Sequence, residues 1–546
     1  MEQQDLQKRL TLALVLSLLV FVGYGYLFPV PKPTLKTTQI ETNQTKTHTL
    51  ATNQAPTVTT TNDNSAPIVT NSNKPSTTLA PVSSFRVLAS VVSTNFIYSI
   101  DEYGRIGQVE LLESKFRDDK GNNLKMLSPS EVRPLEIRFS DVKLNEEAFK
   151  TPYIVKSGSE KIDLTNGEQK LVLEQTLSTV VVTKEIIFKP TGEYSITVKT
   201  SIPTPYFITP GHRPVADQSM YMLVRGVLIK GADGIINTIE DGDAEGYETY
   251  KQAKIASSFD RYVASIFFDF NKGIDVSIIK EANGDPLIFV QGNENFTIGG
   301  YIGEKDEKTL RAINPELTDA IEFGWFSFLA KPFFVVLLWI NDYVGNWGWA
   351  IILFTLLVKL ILFPLSYKGM MSMQKLKDLA PKMKEIKEKY KGDPAKMNVQ
   401  MMDMYKKHGA NPMGGCLPLI LQIPVFFALY RVLLNAVELQ GAEWILWIED
   451  LAVMDPYFVL PILMGASMFF QQKITPTNFT DPLQEKIFKF FPVIMTVFFI
   501  YFPSGLVLYW LVNNLFTIAQ QYFINYMYAK HKEEAIELHK KVKDNK

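Results

Sequence analysis

Between residues 333 and 527 the chain carries apolar runs too long for a soluble core, at about 347–366, 416–437, 457–472, 488–502 and 506–525. About twenty residues of helix rise about 30 Å, the thickness of bilayer hydrocarbon, so these runs predict membrane spans. A further apolar run from Leu10 to Phe28 follows Lys8 and Arg9. It is long and is followed by "GYGYLFP" rather than a small-residue cleavage site, so it reads as an uncleaved anchor and not a signal peptide. Six spans are therefore expected. The last two are joined only by Pro503-Ser504-Gly505 and must form a tight membrane hairpin.

The remainder of the 546-residue chain is unlike this. Residues 29–81 form a Thr/Asn/Pro-rich tether; threonine alone fills fifteen of positions 31–80, too polar a composition to offset its ordering entropy. From 82 to 315 the pattern turns to period two. In "STVVVTKEIIFKPTGEYSITVKTSI" two alternating runs flank the turn residues 190–193, which predicts a β-hairpin. Similar runs separated by Gly, Asn and Asp predict an all-β sandwich. Residues 316–343, with Trp325, several Phe and one lysine, suit either a helix lying in the membrane interface or the ragged start of the span at 344–366.

Charge sets the orientation. The net charge of −1 favours no acidic or nucleic-acid partner, but its distribution is uneven. Loop 438–455 holds five carboxylates and no lysine or arginine, while 368–415 holds eleven lysines and the tail after 528 six. Positive residues collect on the cytoplasmic side, so both termini are expected inside and the β domain outside, in the periplasm of a two-membrane envelope. A single cysteine, Cys416, excludes an intrachain disulfide, and five scattered histidines offer no metal-ligand spacing, so no cofactor or metal is expected.

Residues 367–415 contain two helical stretches divided by Gly392-Asp393-Pro394, with Asp393 placed to cap the second and Pro394 in its first turn. That predicts a cytoplasmic helical hairpin. Nine of the eighteen methionines lie between Lys368 and Gly415, Met383, Met397, Met401 and Met404 among them. Either they present an adaptable surface to varied apolar partners, or they pack the two helices together. The lysines need no more than positive-inside bias and contact with anionic lipid.

The spans hold a polar set. Lys359 interrupts "ILFTLLVKLILFPLS", at a cost of roughly 2.5–3.5 kcal/mol even on the mildest insertion scale. Thr355 precedes it by one turn on the same face, and Ser366 follows it by two. Gln422 sits in the third span, and Asn513, Asn514, Thr517, Gln520 and Gln521 recur along the last. Interhelical hydrogen bonds account for such residues singly. Lysine demands more, because no carboxylate inside the spans neutralises it: either it snorkels toward the cytoplasmic face, or it lines a hydrated cavity open to that face. Arg431, with Asn435 one turn on, lies near the outer end of its span and suits interfacial snorkelling.

The stretches "VGNWGWAIILFTLLVKLILFPLSYKGMMSMQKLKDLAPKMKEIKEKY", "NPMGGCLPLILQIPVFFALY", "LWIEDLAVMDPYFVLPILMGASMFFQQKITPT" and "FPVIMTVFFIYFPSGLVLYWLVNNLFTIAQQ" cover most of 344–528 and resemble the YidC membrane protein insertases of the Oxa/Alb superfamily, Gram-negative type. The resemblance implies an insertase and chaperone without bond chemistry. It implies a periplasmic β-supersandwich, a mobile cytoplasmic hairpin, and a groove open to cytoplasm and lipid that receives hydrophilic tails of nascent membrane proteins. Ribosomes, the Sec translocon and membrane lipids are the implied partners, in the bacterial inner membrane, and the basic tail 528–546 is compatible with the ribosome. The implied groove residues are Lys359, Thr355, Gln422, Tyr509, Trp510, Asn513, Asn514 and Thr517. Lys359 stands where the family usually has arginine, and Trp510 where close relatives often have a second tyrosine. Two readings from other classes are a polytopic solute transporter, which calls for inverted repeats, and a membrane-tethered carbohydrate-binding β domain, which calls for paired carboxylates in a cleft.

Overall fold

The computed structural model describes residues 74–75, 86–117, 121–216, 224–409, 417–475 and 482–544. The expected anchor 1–28 and nearly all of the tether lie outside them. The chain divides into two compact units, 1–71 with 479–486 and 72–478 with 487–546; of the former only the first turn of one helix is described, and every other described element belongs to the latter.

Three sheets make up the region before residue 305. A nine-stranded sheet orders Ile236–Glu240, Gly226–Lys230, Ile255–Phe259, Val263–Phe268, Asn295–Glu304, Glu193–Thr200, Val181–Phe188, Gln169–Thr176 and Ile154–Ser157. A five-stranded sheet orders Glu248–Ala253, Ile274–Lys280, Pro286–Gly292, Tyr206–Ile208 and Ile137–Phe139, and touches the first sheet at strands Gly226–Lys230 and Ile255–Phe259. The third sheet pairs Ile106–Leu111, Phe96–Asp101, Val87–Val92 and Lys161–Asp163.

The expected hairpin is present: Val181–Phe188 pairs antiparallel with Glu193–Thr200, Phe188 opposite Tyr194. Its alternation buries Val182, Ile186 and Phe188 on one strand and Tyr194, Ile196 and Val198 on the other. Gly192 turns the chain at φ +87°, where a Cβ would meet the Tyr98 hydroxyl at 3.0 Å, so glycine is required. The pattern also drives Lys184 inward. Its ammonium donates to the carbonyls of Gly104 and Leu135, each at 2.8 Å, and burial pushes its pKa down to about 7.

A short helix, α1 (Val142–Ala148), lies within the β region and a second, α2 (Glu307–Ile313), follows it; Asp306 caps α2 through the Thr309 N–H at 2.7 Å. The chain then continues into α3 (Ser327–Val344), α4 (Trp347–Asp378), α5 (Ala380–Lys389), α6 (Pro394–Lys407), α7 (Leu417–Asn435), α8 (Val459–Ile474), α9 (Pro482–Phe499) and α10 (Ser504–Asp544). By length and composition α3 and α4 could each cross a membrane. Residues 316–343, expected to be an interfacial helix or the ragged start of the next span, hold two 3-10 turns followed by α3. Gly345 ends α3 at φ +67° and Asn346 caps α4 through the Trp349 N–H at 3.1 Å, which makes an abrupt corner.

Two helices run on where the hydropathy stops. Thirty-two residues of α4 rise about 48 Å, well past a bilayer core, so the first arm of the lysine-rich hairpin continues the span. Past the apolar run, 367–378 contains no proline, and its one glycine, Gly369, is buried within the helix. Forty-one residues of α10 likewise carry the last span into the basic tail. Within the hairpin Asp393 caps α6 through the Lys396 N–H at 3.1 Å, with Pro394 in the first turn. The last helix packs against α4, α7 and α8, and is the element that gathers the intramembrane polar residues.

Candidate functional site in the helical core

Successive turns of α4 bury Ile351, Phe354, Thr355 and Lys359 while exposing Leu353, Leu357, Leu360 and Ile361. The exposed face is purely apolar, as lipid contact requires; the buried face carries the charge. Lys359, 9% exposed, donates from Nζ to Thr517 Oγ1 on α10 at 2.9 Å. Among the described residues it has no ion-pair partner. Thr517 Oγ1 in turn donates to the Asn513 carbonyl at 2.7 Å, so one hydroxyl links the ammonium to the α10 backbone. One turn further, Gln520 Nε2 lies 3.5 Å from the Lys359 carbonyl.

A second polar contact joins α7 to the same helix. Gln422 Nε2 reaches Tyr509 Oη at 3.2 Å and Asn513 Oδ1 at 3.3 Å. The spacing Tyr509, Asn513, Thr517 places all three on one face of α10, which aligns the Gln422 and Lys359 contacts in a single track. That track offers amide and hydroxyl groups along its length and an ammonium at its end.

Three of the expected groove residues stand elsewhere. Thr355 is buried, but its hydroxyl donates to its own helix, to Ile351 O at 2.6 Å. Asn514 points to the other side of α10 and donates to Ser467 Oγ on α8 at 3.0 Å, a helix-to-helix bond. Trp510 lies in an aromatic cluster, its ring edge-on to Phe426 at 4.6 Å and tilted against Phe499 at 4.9 Å. In the hairpin, Met404 is buried with Leu379, and Met383 and Ile386 pack on them; Met397 and Met401 are half-buried.

Other contacts carry little sequence signal. Gln374 on α4 bonds Asn525 on α10, which also accepts from Gln521 at 2.7 Å, extending polar contact toward the end of the bundle that bears the lysine-rich hairpin. Arg431, expected to snorkel, lies 3.5 Å from the Glu322 carboxylate, and Asn435 donates to the Glu322 carbonyl at 2.8 Å. Arg261, buried at the turn Asp260–Tyr262, donates from Nε to Leu434 O at 2.7 Å and from Nη2 to Ala452 O at 3.5 Å. These bonds pin the β region to the end of α7 and to the loop before α8.

The profile described as the 60Kd inner membrane protein matches residues 339–532, and that of the YidC periplasmic domain matches residues 271–336. The membrane protein insertase YidC of Campylobacter jejuni is 50% identical over 525 residues, covering 96% of this chain and 97% of that protein. The chain belongs to the YidC membrane protein insertase family. The YidC of Wolinella succinogenes is 49% identical over 530 residues (96% of each chain), and that of Helicobacter pylori 44% over 569 residues (98% of this chain, 100% of the relative). Its function is therefore membrane protein insertion, by a helical core in the inner membrane joined to a periplasmic β-sandwich domain. A YidC insertase is a handler of chains rather than a classical enzyme, so the Lys359 track is to be judged by what it solvates. Membership sets aside the transporter and carbohydrate-binding readings.

Proposed function

We propose that Lys359, with Thr517, Asn513, Gln422 and Tyr509, receives the hydrophilic tail of a nascent membrane protein within the bilayer, in a groove open to the cytoplasm and to lipid. The observation that carries this reading is the Lys359–Thr517 contact at 2.9 Å: a buried ammonium held by one neutral hydroxyl rather than by a carboxylate. An ammonium paired with a carboxylate would be already satisfied. Left with a hydroxyl, it attracts an arriving carboxylate by roughly 4 kcal/mol at 4 Å and an effective dielectric of 20. Amides and hydroxyls along α10 replace part of the water that the tail gives up.

Thr355 and Asn514 support this track from behind, one tied to α4 and the other to α8. Trp510 lines its apolar flank. The apolar surfaces of α7 and α9 then guide the transmembrane segment into lipid, driven by burial of its own surface at about 25 cal/mol per Å². In this reading the core comprises five spans and the anchor a sixth, both termini are cytoplasmic, and no cofactor takes part. The hairpin α5–α6 and basic tail face ribosome and anionic headgroups, and the Sec translocon is a partner for larger substrates.

The test is protease-protected insertion of a single-span protein with a short acidic tail into liposomes containing only this chain. Protection above that of empty liposomes supports autonomous insertion; equal protection of the two rejects it.

A further inference from the structure

At one end of the five-stranded sheet, four side chains from three segments converge. The register Ile208 opposite Val290 carries the chain after strand Tyr206–Ile208 toward the start of strand Pro286–Gly292. His212 thereby comes to lie beside the turn that joins Ile274–Lys280 to that strand. Its Nε2 is 3.6 Å from Asp285 Oδ2 and 3.8 Å from Glu281 Oε2. Glu131 arrives from a third segment, fixed by the bond from the His212 N–H to Val132 O at 2.8 Å. One donor atom each of Glu131, His212 and Glu281 lie within 4.8 Å of one another.

The positions are built rather than incidental. Glu281 N–H donates to Asp285 O at 2.9 Å, and Gly284, at φ +94°, donates to Glu281 O at 3.0 Å, so the two carboxylates bracket a closed turn. Asn283 Nδ2 donates to Asp285 Oδ2 at 2.7 Å, the outer hydrogen bond that orients a ligating carboxylate. The side chains of His212, Glu281 and Asp285 are 11%, 16% and 16% exposed, sheltered but open on one side.

Three carboxylates surround one imidazole; the Arg138 guanidinium also acts on Glu281 but is itself paired with Glu136 at 2.9 Å, so carboxylates remain in excess. The geometry points to a divalent transition-metal site, with His212, Glu281 and Glu131 as ligands and Asp285 as a fourth. Metal–ligand bonds of about 2.0–2.1 Å in a tetrahedron separate the donors by about 3.3–3.5 Å. The observed 3.6 and 3.8 Å from His212 to Asp285 and Glu281 need closure of only a few tenths of an ångström, while Glu131, within 4.8 Å of the other donors, has further to move. One nitrogen with oxygen donors and no thiolate suits zinc or manganese, and the imidazole disfavours magnesium and calcium, which take oxygen. The ion would staple the segment at Glu131, the segment at His212 and the turn at Glu281 into one end of the sheet. The site lies in the β domain, apart from the Lys359 track, and does not rest on the reading of that track.

The competing arrangement is a protonated His212 paired with the two carboxylates and no metal. The full chain, purified without a histidine tag and stripped with EDTA, is titrated with Co²⁺ and followed by visible absorption, and its zinc content is measured after equilibration and desalting. Expected are one equivalent of zinc and a tetrahedral or five-coordinate cobalt band, both lost in His212→Ala and in Glu281→Gln and kept in the control His408→Ala. Asn283→Ala should weaken binding by about tenfold. A stripped wild-type chain that takes up no cobalt band overturns the site whatever the variants do. So does uptake equal in wild type, His212→Ala and Glu281→Gln.

Discussion

The Lys359 ammonium on α4 and the Thr517 hydroxyl on α10 are 2.9 Å apart, and Thr517 passes the bond on to the α10 backbone. A buried charge held by a neutral partner is an unfavourable arrangement for stability alone, because hydroxyl solvation falls short of water or a carboxylate. Function and stability therefore pull apart at this position. Lys359→Met keeps the volume of the side chain and removes the charge, so the thermal transition in detergent should rise while insertion of acid-tailed substrates falls. Thr517→Val should instead lower the transition, by the equivalent of about 1–3 kcal/mol, and slow insertion less than Lys359→Met does, because the cation persists.

Arg261 ties the β domain to the membrane core through the carbonyls of Leu434 and Ala452. Arg261→Ala leaves both carbonyls buried without their donor and should cost about 2–4 kcal/mol. Arg261→Lys, which offers a point charge in place of the fork, should recover part of that. Limited proteolysis of the chain in detergent reads the effect as faster cleavage between residues 305 and 327.

Glu438 sits in the same junction, where its carboxylate accepts the Glu307 N–H at 3.1 Å. Burial is the main cause that pushes its pKa up to about 7, with Asp306 adding to it and Lys115 opposing. An unfolded glutamate titrates near 4.3, so the folded chain binds the extra proton between about 4.3 and 7. Stability from this group is thus greatest at low pH and is lost as pH rises through 7. Glu438→Gln should match the wild-type transition temperature at pH 5 and exceed it at pH 8; an equal difference at both pH values would contradict the assignment.

Gly465 on α8 allows close approach of α9. A methyl group built there would overlap Thr496 Oγ1, which is itself held by a bond to Pro492 O at 2.8 Å. Gly465→Ala should therefore force the helices apart and destabilise by about 1–3 kcal/mol, measured by thermal unfolding in detergent. Gly465→Ala combined with Thr496→Ala, which vacates the hydroxyl, should recover most of the loss.

Local chemistry was legible in the residues. The alternation through 181–200 specifies a half-buried hairpin, and Asp393-Pro394 specifies a helix start, because each depends on neighbours in sequence. Lys184 was not legible: an inward lysine is acceptable only because Gly104 and Leu135, from distant segments, present carbonyls to it. The ends of α4 were missed because hydropathy marks where lipid stops and says nothing of where a helix stops. Asn513 and Asn514 belong to one polar set in sequence, yet adjacent residues point about 100° apart on a helix, so one faces Gln422 and the other Ser467. Arg431 finds Glu322 from 109 positions earlier, a pairing that no local pattern encodes.

On the proposed function, the charge of Lys359 draws in the substrate tail. The most direct measurement is the initial rate of protease-protected insertion into liposomes by wild type, Lys359→Arg and Lys359→Ala, for one single-span substrate whose short tail is made acidic or neutral. Lys359→Arg should keep the wild-type rate with both tails, and Lys359→Ala should slow the acidic tail about tenfold or more while sparing the neutral one, a loss of at least about 1.4 kcal/mol of attraction. Equal rates for all three chains with the acidic tail would contradict it.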